Sequence, residues 1–245
     1  GAGLAGLFLE LFDPTIALVL CAAGVGDIVA LLVLGPILAR ARLRQLATDL
    51  GGTLHEPHSD QQGWFAAREL DTLGGDIRGF ACQRVDGFSV ADRPCAVERV
   101  TWKNRQQSGN TTRDVPHKAY YLVLGAESPA SLQIMPSGTM ARMMVGMLGV
   151  PTVRTGTPLD DQYIVTAKDP IIAGAFLQGE MAGTLERVLG QVRSVVGGQV
   201  SVRLVLFPKG VGVELTGGST DQLAKERVTQ VLRALVPIAA LAEGR

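Results

Sequence analysis

The first 39 residues contain no lysine and no arginine; their charged side chains are Glu10, Asp13 and Asp27. A secretory signal peptide needs a basic segment ahead of its apolar stretch, and acids stand there instead, which argues against one. Cysteine is scarce. Cys21, Cys82 and Cys95 are too few and too scattered for a disulfide framework, and read as small, reduced core residues. The motifs G-x-x-x-x-G-K-[ST], G-x-S-x-G and C-x-x-C are all missing, which argues against a phosphate loop, a nucleophile elbow and a dithiol centre. Low-complexity tracts are missing too.

What the chain has is apolar surplus, unevenly spread. It is 47% hydrophobic with no formal net charge, and its mean hydropathy of +0.23 is high for a purely soluble protein. The surplus lies near the start. From Thr15 to Ala39 runs TIALVLCAAGVGDIVALLVLGPILA, which as a helix is about 37 Å long and spans a hydrocarbon core of about 30 Å with some tilt. Asp13 and Pro14 suit its start: the Asp oxygen accepts from an orphan N–H, and Pro in the first turn has no N–H to lose. Asp27 costs about 2.5–3.5 kcal/mol at mid-membrane, whereas the thirteen Leu, Ile and Val residues from Ile16 to Leu38 contribute roughly 4–8 kcal/mol. Insertion is the expectation.

Arg40, Arg42 and Arg44 follow at once. By the positive-inside rule they put the C-terminal side in the cytoplasm of a bacterial cell and the N-terminus in the periplasm; they also reach anionic headgroups. Leu4, Leu7, Phe8, Leu11 and Phe12 form an i, i+3, i+4, i+7, i+8 stripe, expected to lie on the outer membrane surface. Within the span, Ala22, Gly26 and Ala30 place small side chains on one face beside Asp27, the pattern of a helix-packing interface with other membrane subunits. The span has neither His nor Met, which leaves no imidazole or thioether for a haem or chlorophyll there, and no cofactor is expected.

The remainder reads as a stalk helix over 40–52, stopped by Gly51 and Gly52, and a cytoplasmic α+β domain over 53–245, mainly antiparallel, with two candidate lobes at about 53–150 and 151–245. Strands are expected at Asp76–Val85, Cys95–Lys103, Lys118–Gly125, Leu132–Met135, Asp161–Ala167, Val200–Phe207 and Val211–Leu215. Helices are expected from Gly138 to Leu148, where Met recurs, from Glu180 to Val196, and from a Ser219 or Thr220 cap to about Leu241, with Pro237 a possible kink.

Candidate chemistry is thin. His55 and His58 flank Glu56-Pro57 near Asp60, at i, i+3 spacing with a Pro between, which is poor metal-ligand spacing. His117 has no carboxylate or thiol beside it in sequence. Asp160 and Asp161 are adjacent and would point to opposite faces of a strand. Arg99, Lys103, Arg105 and Arg113 near Trp102 read as a solvated hairpin rather than a nucleic-acid surface. The expectation is a non-catalytic accessory subunit of a multisubunit, energy-transducing membrane complex, with no nucleic-acid partner. A tethered enzyme or ligand-binding module is the alternative.

Overall fold

The computed structural model describes residues 35–55, 77–108, 111–138, 145–146, 149–217 and 223–244. The amphipathic stripe, the small-residue face with Asp27 and most of the apolar run lie in 1–34, outside the described residues. So do Ser219, Thr220 and most of the Met-rich stretch. Among the described residues no helix is long and apolar enough to cross a membrane.

Two compact units divide the chain, Gly1–Gln45 and Leu46–Arg245. Helix α1, Gly35–Leu50, ends in the second unit. Gly51 takes φ +71° and the Gly52 N–H donates to the Ala47 carbonyl at 2.8 Å, the left-handed cap that the glycine pair predicts.

The second unit is an α+β domain built on one antiparallel sheet. Its strands are β1 (Thr53–His55), β2 (Ile77–Val90), β3 (Arg93–Ser108), β4 (Thr111–Gly125), β5 (Leu132–Pro136), β6 (Thr152–Val153), β7 (Tyr163–Ala167), β8 (Ser201–Phe207) and β9 (Gly210–Thr216). They lie in the order β1-β2-β3-β4-β9-β8-β5-β7-β6. The two candidate lobes share this sheet, since β4 pairs with β9 and β5 with β8. Its described helices after α1 include α2 (Leu159–Gln162), α3 (Pro170–Phe176), α4 (Glu180–Val196) and α5 (Lys225–Ala242).

Alternation along the strands sorts side chains onto two faces. One cross-strand row runs through all nine strands: Leu54, Val85, Val97, Leu122, Val213, Leu204, Ile134, Val165 and Val153. From Val85 to Ile134 its members are fully buried. Helix α5 packs across β2, β4 and β9, and α4 packs beside α5 and on β8. The face of α4 reads as expected, with Met181, Leu185, Val188, Leu189, Val192 and Val196 buried. On α5, Val228, Val231, Leu232, Leu235 and Ile238 are buried, each contributing roughly 1.5–3 kcal/mol. A second buried cluster, Cys82, Ala96, Val100, Trp102, Ala119, Tyr121, Val123, Val205 and Phe207, contains no residue of either helix and lies on the opposite face.

Several boundaries differ from the sequence expectation. β2, β3 and β4 run well past the expected ends because strand pairing continues through Pro94 and Pro116. Asp160 and Asp161 belong to α2 rather than to a strand. The Asp160 carboxylate accepts from the Thr155 and Gly156 N–H groups and the Thr155 hydroxyl, closing a loop before β7. Burial pushes its pKa up, but those bonds and the Arg154 charge outweigh this and hold it below the usual carboxylate range. Helix α5 starts at Lys225 behind Ala224, with no side-chain cap, and runs through Pro237, whose ring is exposed. Asp169 does cap α3, accepting from the Ile171 and Ile172 N–H groups at 3.0 Å.

The β2–β3 turn has Ala91 and Asp92 both at positive φ, 51° and 60°, where Gly and Asn are the usual residues. Arg93, next in the chain, holds this corner. Its guanidinium donates to both oxygens of Glu243 at 2.6 and 2.7 Å and to the Gly125 carbonyl at 3.2 Å, joining the turn and the end of β4 to the end of α5. Both side chains are 14% exposed, so solvent screens the pair weakly. Replacing Arg93 or Glu243 with Ala is predicted to cost about 1–3 kcal/mol in urea unfolding, and the double variant less than the sum of the singles.

Candidate functional site

At the corner where β2 turns into β3, a cleft of about 660 Å³ opens among Leu50, Arg84, Asp86, Phe88, Ser89 and Cys95. A bulge makes the space. The β2–β3 register shifts between Val85 and Phe88, and Gly87 at the bulge takes φ +80°. Gly52 has no room for a side chain, because a Cβ there would meet the Asp86 carbonyl at 2.5 Å.

The cleft's ionisable groups bind one another. Arg84 Nε lies 2.8 Å from one Asp86 carboxylate oxygen, and His55 Nε2 lies 2.8 Å from the other. Arg84 Nη1 stands 3.6 Å from the buried Glu98 carboxylate. Neither nearby thiol is set up as a nucleophile. Burial pushes Cys95 to about 11 and Cys82 to about 12, the latter helped by Glu98, so both are protonated at neutral pH. Among the described residues no three His, Cys, Asp or Glu side chains stand close enough to hold a metal ion.

Arg84 and Glu98 begin a polar row next to the apolar one and on the opposite face. It runs His55, Arg84, Glu98, Tyr121, Glu214 and Arg203 across six adjacent strands. Glu98 and Tyr121 are fully buried and Glu214 is 7% exposed. Arg203 closes the row, its Nε donating to Glu214 at 2.6 Å and its Nη1 to Gln133 at 3.2 Å. Sequence reasoning missed this row. Its signal is a charged or hydroxyl residue inside an apolar strand run, beside the residue of the apolar row: Arg84-Val85, Val97-Glu98, Tyr121-Leu122, Val213-Glu214 and Arg203-Leu204.

Of the residues singled out from sequence, Ala22, Gly26, Asp27, Ala30, Leu4, Leu7, Phe8, Leu11 and Phe12 lie outside the described residues, as do His58 and Asp60. Arg40, Arg42 and Arg44 are exposed on α1. His55 joins the Asp86 pair, whereas His117 stacks on Trp102, ring centroids 5.3 Å apart. Cys82 and Cys95 are buried and unbridged. Arg99, Lys103, Arg105 and Arg113 are all on the β3–β4 hairpin.

Compared with protein-family models, with curated proteins and with solved structures, the chain matches none.

The buried Arg203–Glu214 pair carries a prediction. Arg203→Met leaves a carboxylate without its partner at a nearly dry position and should cost about 3–5 kcal/mol, whereas Arg203→Met with Glu214→Leu should lie within about 1 kcal/mol of the parent in denaturant melts.

Proposed function

We propose that this chain is a non-catalytic accessory subunit of a multisubunit membrane complex, anchored by residues 15–39 and holding its α+β unit at the cytoplasmic surface. The observation that carries the reading is the apolar run, with acids before it and Arg40, Arg42 and Arg44 immediately after it. The exposure of all three arginines on α1 supports their contact with headgroups. The unit itself supports a binding role over catalysis: its buried carboxylates pair with arginines, and its described thiols are protonated. Docking rests on Ala22, Gly26 and Ala30, which let another helix approach, and on Asp27, which hydrogen-bonds across the contact. An energy-transducing host, respiratory or photosynthetic, is the class of assembly proposed, because such complexes recruit single-helix subunits.

The cleft beside Arg84 and Asp86 favours a second reading, a tethered ligand-binding module. A compound that raises the Tm of the parent by more than about 2 °C, but not that of Ser89→Trp, would support it.

For the leading reading, the full chain is purified from its native membrane with its partners. Asp27→Leu and Gly26→Leu are each predicted to lower co-recovery of partner subunits by at least about tenfold, a coupling of roughly 1.4 kcal/mol or more. Unchanged recovery for both variants would refute docking through this face.

A further inference from the structure

We infer that an internal water site lies beside Trp102 in the β3–β4 hairpin, with Trp102, His117 and Asn104 supplying its hydrogen-bonding groups. Trp102 pairs with His117 across the hairpin, and Asn104, two residues along β3, shares the side of Trp102. That side carries the buried cluster to which Trp102 belongs, opposite α4 and α5. The position lies beyond the Tyr120–Leu215 pair, where the pairing of β9 with β4 stops.

The Trp102 and His117 rings stack at an interplanar angle of 14°, and Trp102 is 6% exposed. Stacking satisfies ring faces and leaves the nitrogens at the ring edges in need of partners. Trp102 Nε1, His117 Nε2 and Asn104 Oδ1 are all buried, and none of the three has a hydrogen-bond partner among the described residues. Buried polar atoms are seldom left bare in a folded protein, and ordered water is the usual partner where no protein group serves. A bulge provides room. The β2–β3 register shifts between Arg78 and Ala81, so that Gly79 and Phe80 both stand opposite Trp102. Gly79 takes φ +59°, and a Cβ at that position would meet nothing within 4 Å. The strand beside the indole therefore lacks a side chain where the ladder is interrupted.

The three atoms select their occupant. The indole N–H can only donate, the Asn104 oxygen can only accept, and His117 Nε2 accepts when Nδ1 carries the ring proton. A cation offers no acceptor to the indole, and an anion offers no donor to Asn104. Water offers both, as one molecule or a hydrogen-bonded pair: its oxygen accepts from Trp102 Nε1–H, and its protons go to His117 Nε2 and Asn104 Oδ1. An internal water typically makes about three such bonds. The cleft at the β2–β3 turn is a different place, since none of these three residues lines it. Water held beside Trp102 ties β3 to β4 through side chains in a stretch that β9 does not reach.

The test is magnetic resonance of the full chain in nanodiscs with isotope-labelled indole. The chain has two tryptophans, Trp64 and Trp102, and the indole N–H signal lost in Trp102→Phe is that of Trp102. In water-selective spectra this N–H should show a cross-peak at the water frequency, with NOE and ROE of opposite sign, the signature of a long-lived bound water rather than proton exchange. Asn104→Leu combined with His117→Phe keeps an aromatic ring opposite Trp102 but removes both acceptors, and should weaken the cross-peak by at least about threefold. Lys103→Gln, on the other side of β3, should leave it unchanged. Absence of the cross-peak in the parent chain would overturn the inference whatever the variants do. So would full intensity in the double variant, or a cross-peak at another frequency, which would identify a protein or lipid hydroxyl as the occupant. The reading of the chain as an anchored subunit is untouched by any of these results, because the site does not depend on it.

Discussion

Strand register is the constraint on which the rest of the domain depends. Two neighbouring cross-strand rows, one apolar beneath the helices and one polar on the opposite face, alternate residue by residue in β2, β3, β4, β9 and β8. A slip of one residue in any of these strands would turn an Arg, a Glu or, in β4, Tyr121 toward the helix side and remove a Val or Leu from it. The apolar row alone penalises such a slip by lost burial. The polar row adds the cost of an unpaired charge in a dry environment, which is larger per residue than a lost methyl. The ion pairs therefore contribute less to net stability than to the choice of one pairing among several.

The ends of this sheet are tied by different means. At the β2–β3 corner the backbone adopts a turn that suits neither Ala91 nor Asp92, at roughly 1–2 kcal/mol for a residue with a Cβ in the left-handed region. The Arg93–Glu243 pair offsets that strain by joining the turn to the end of α5, and the Glu127 N–H adds a bond to the same carboxylate at 3.3 Å. The last residues of α5 thus hold the opening of β3, a link across 150 positions of sequence. At the far end, a cation–π contact sets the Arg193 guanidinium 4.8 Å from the Tyr163 ring, connecting α4 to β7. The corner cleft lies at the more constrained end, where a bulge and close-packed glycine backbone keep its walls in place.

Much of this fold is legible in the sequence, and the illegible part has a physical reason. Helix α4 shows in its 3.6-residue stripe and the β8–β9 hairpin in its turn, because both signals are local. The α1 terminus shows in its glycine pair for the same reason. The long strands β2–β4 are read too short because Pro94, Pro116 and the Asn-Gly-rich tip look like breaks, and only cross-strand pairing shows that they are not. The polar row is invisible one strand at a time: Arg84, Glu98, Tyr121, Glu214 and Arg203 are spread over 130 positions, and each by itself resembles a solvent-facing residue of a half-buried strand. The cleft is no more legible, since it arises from a one-residue register shift at Gly87. The converse also holds. The features from which a membrane anchor is proposed, Asp27 among small residues and the arginines behind them, depend on composition and sequence spacing and need no tertiary information.

The same side of the sheet that carries the apolar row changes character where the Tyr120–Arg99 pair lies. Inside that boundary, side chains on this side meet α5; outside it, Lys103, Arg105 and Lys118 take their places. The change follows from lengths. Helix α5 rises about 1.5 Å per residue and β4 about 3.3 Å, so eighteen helical residues cover roughly eight strand residues if the two run side by side. A strand of fifteen residues must outrun its cover. A sheet face beyond its covering helix that stayed apolar would be an aggregation surface, and charged side chains along it oppose pairing with another copy.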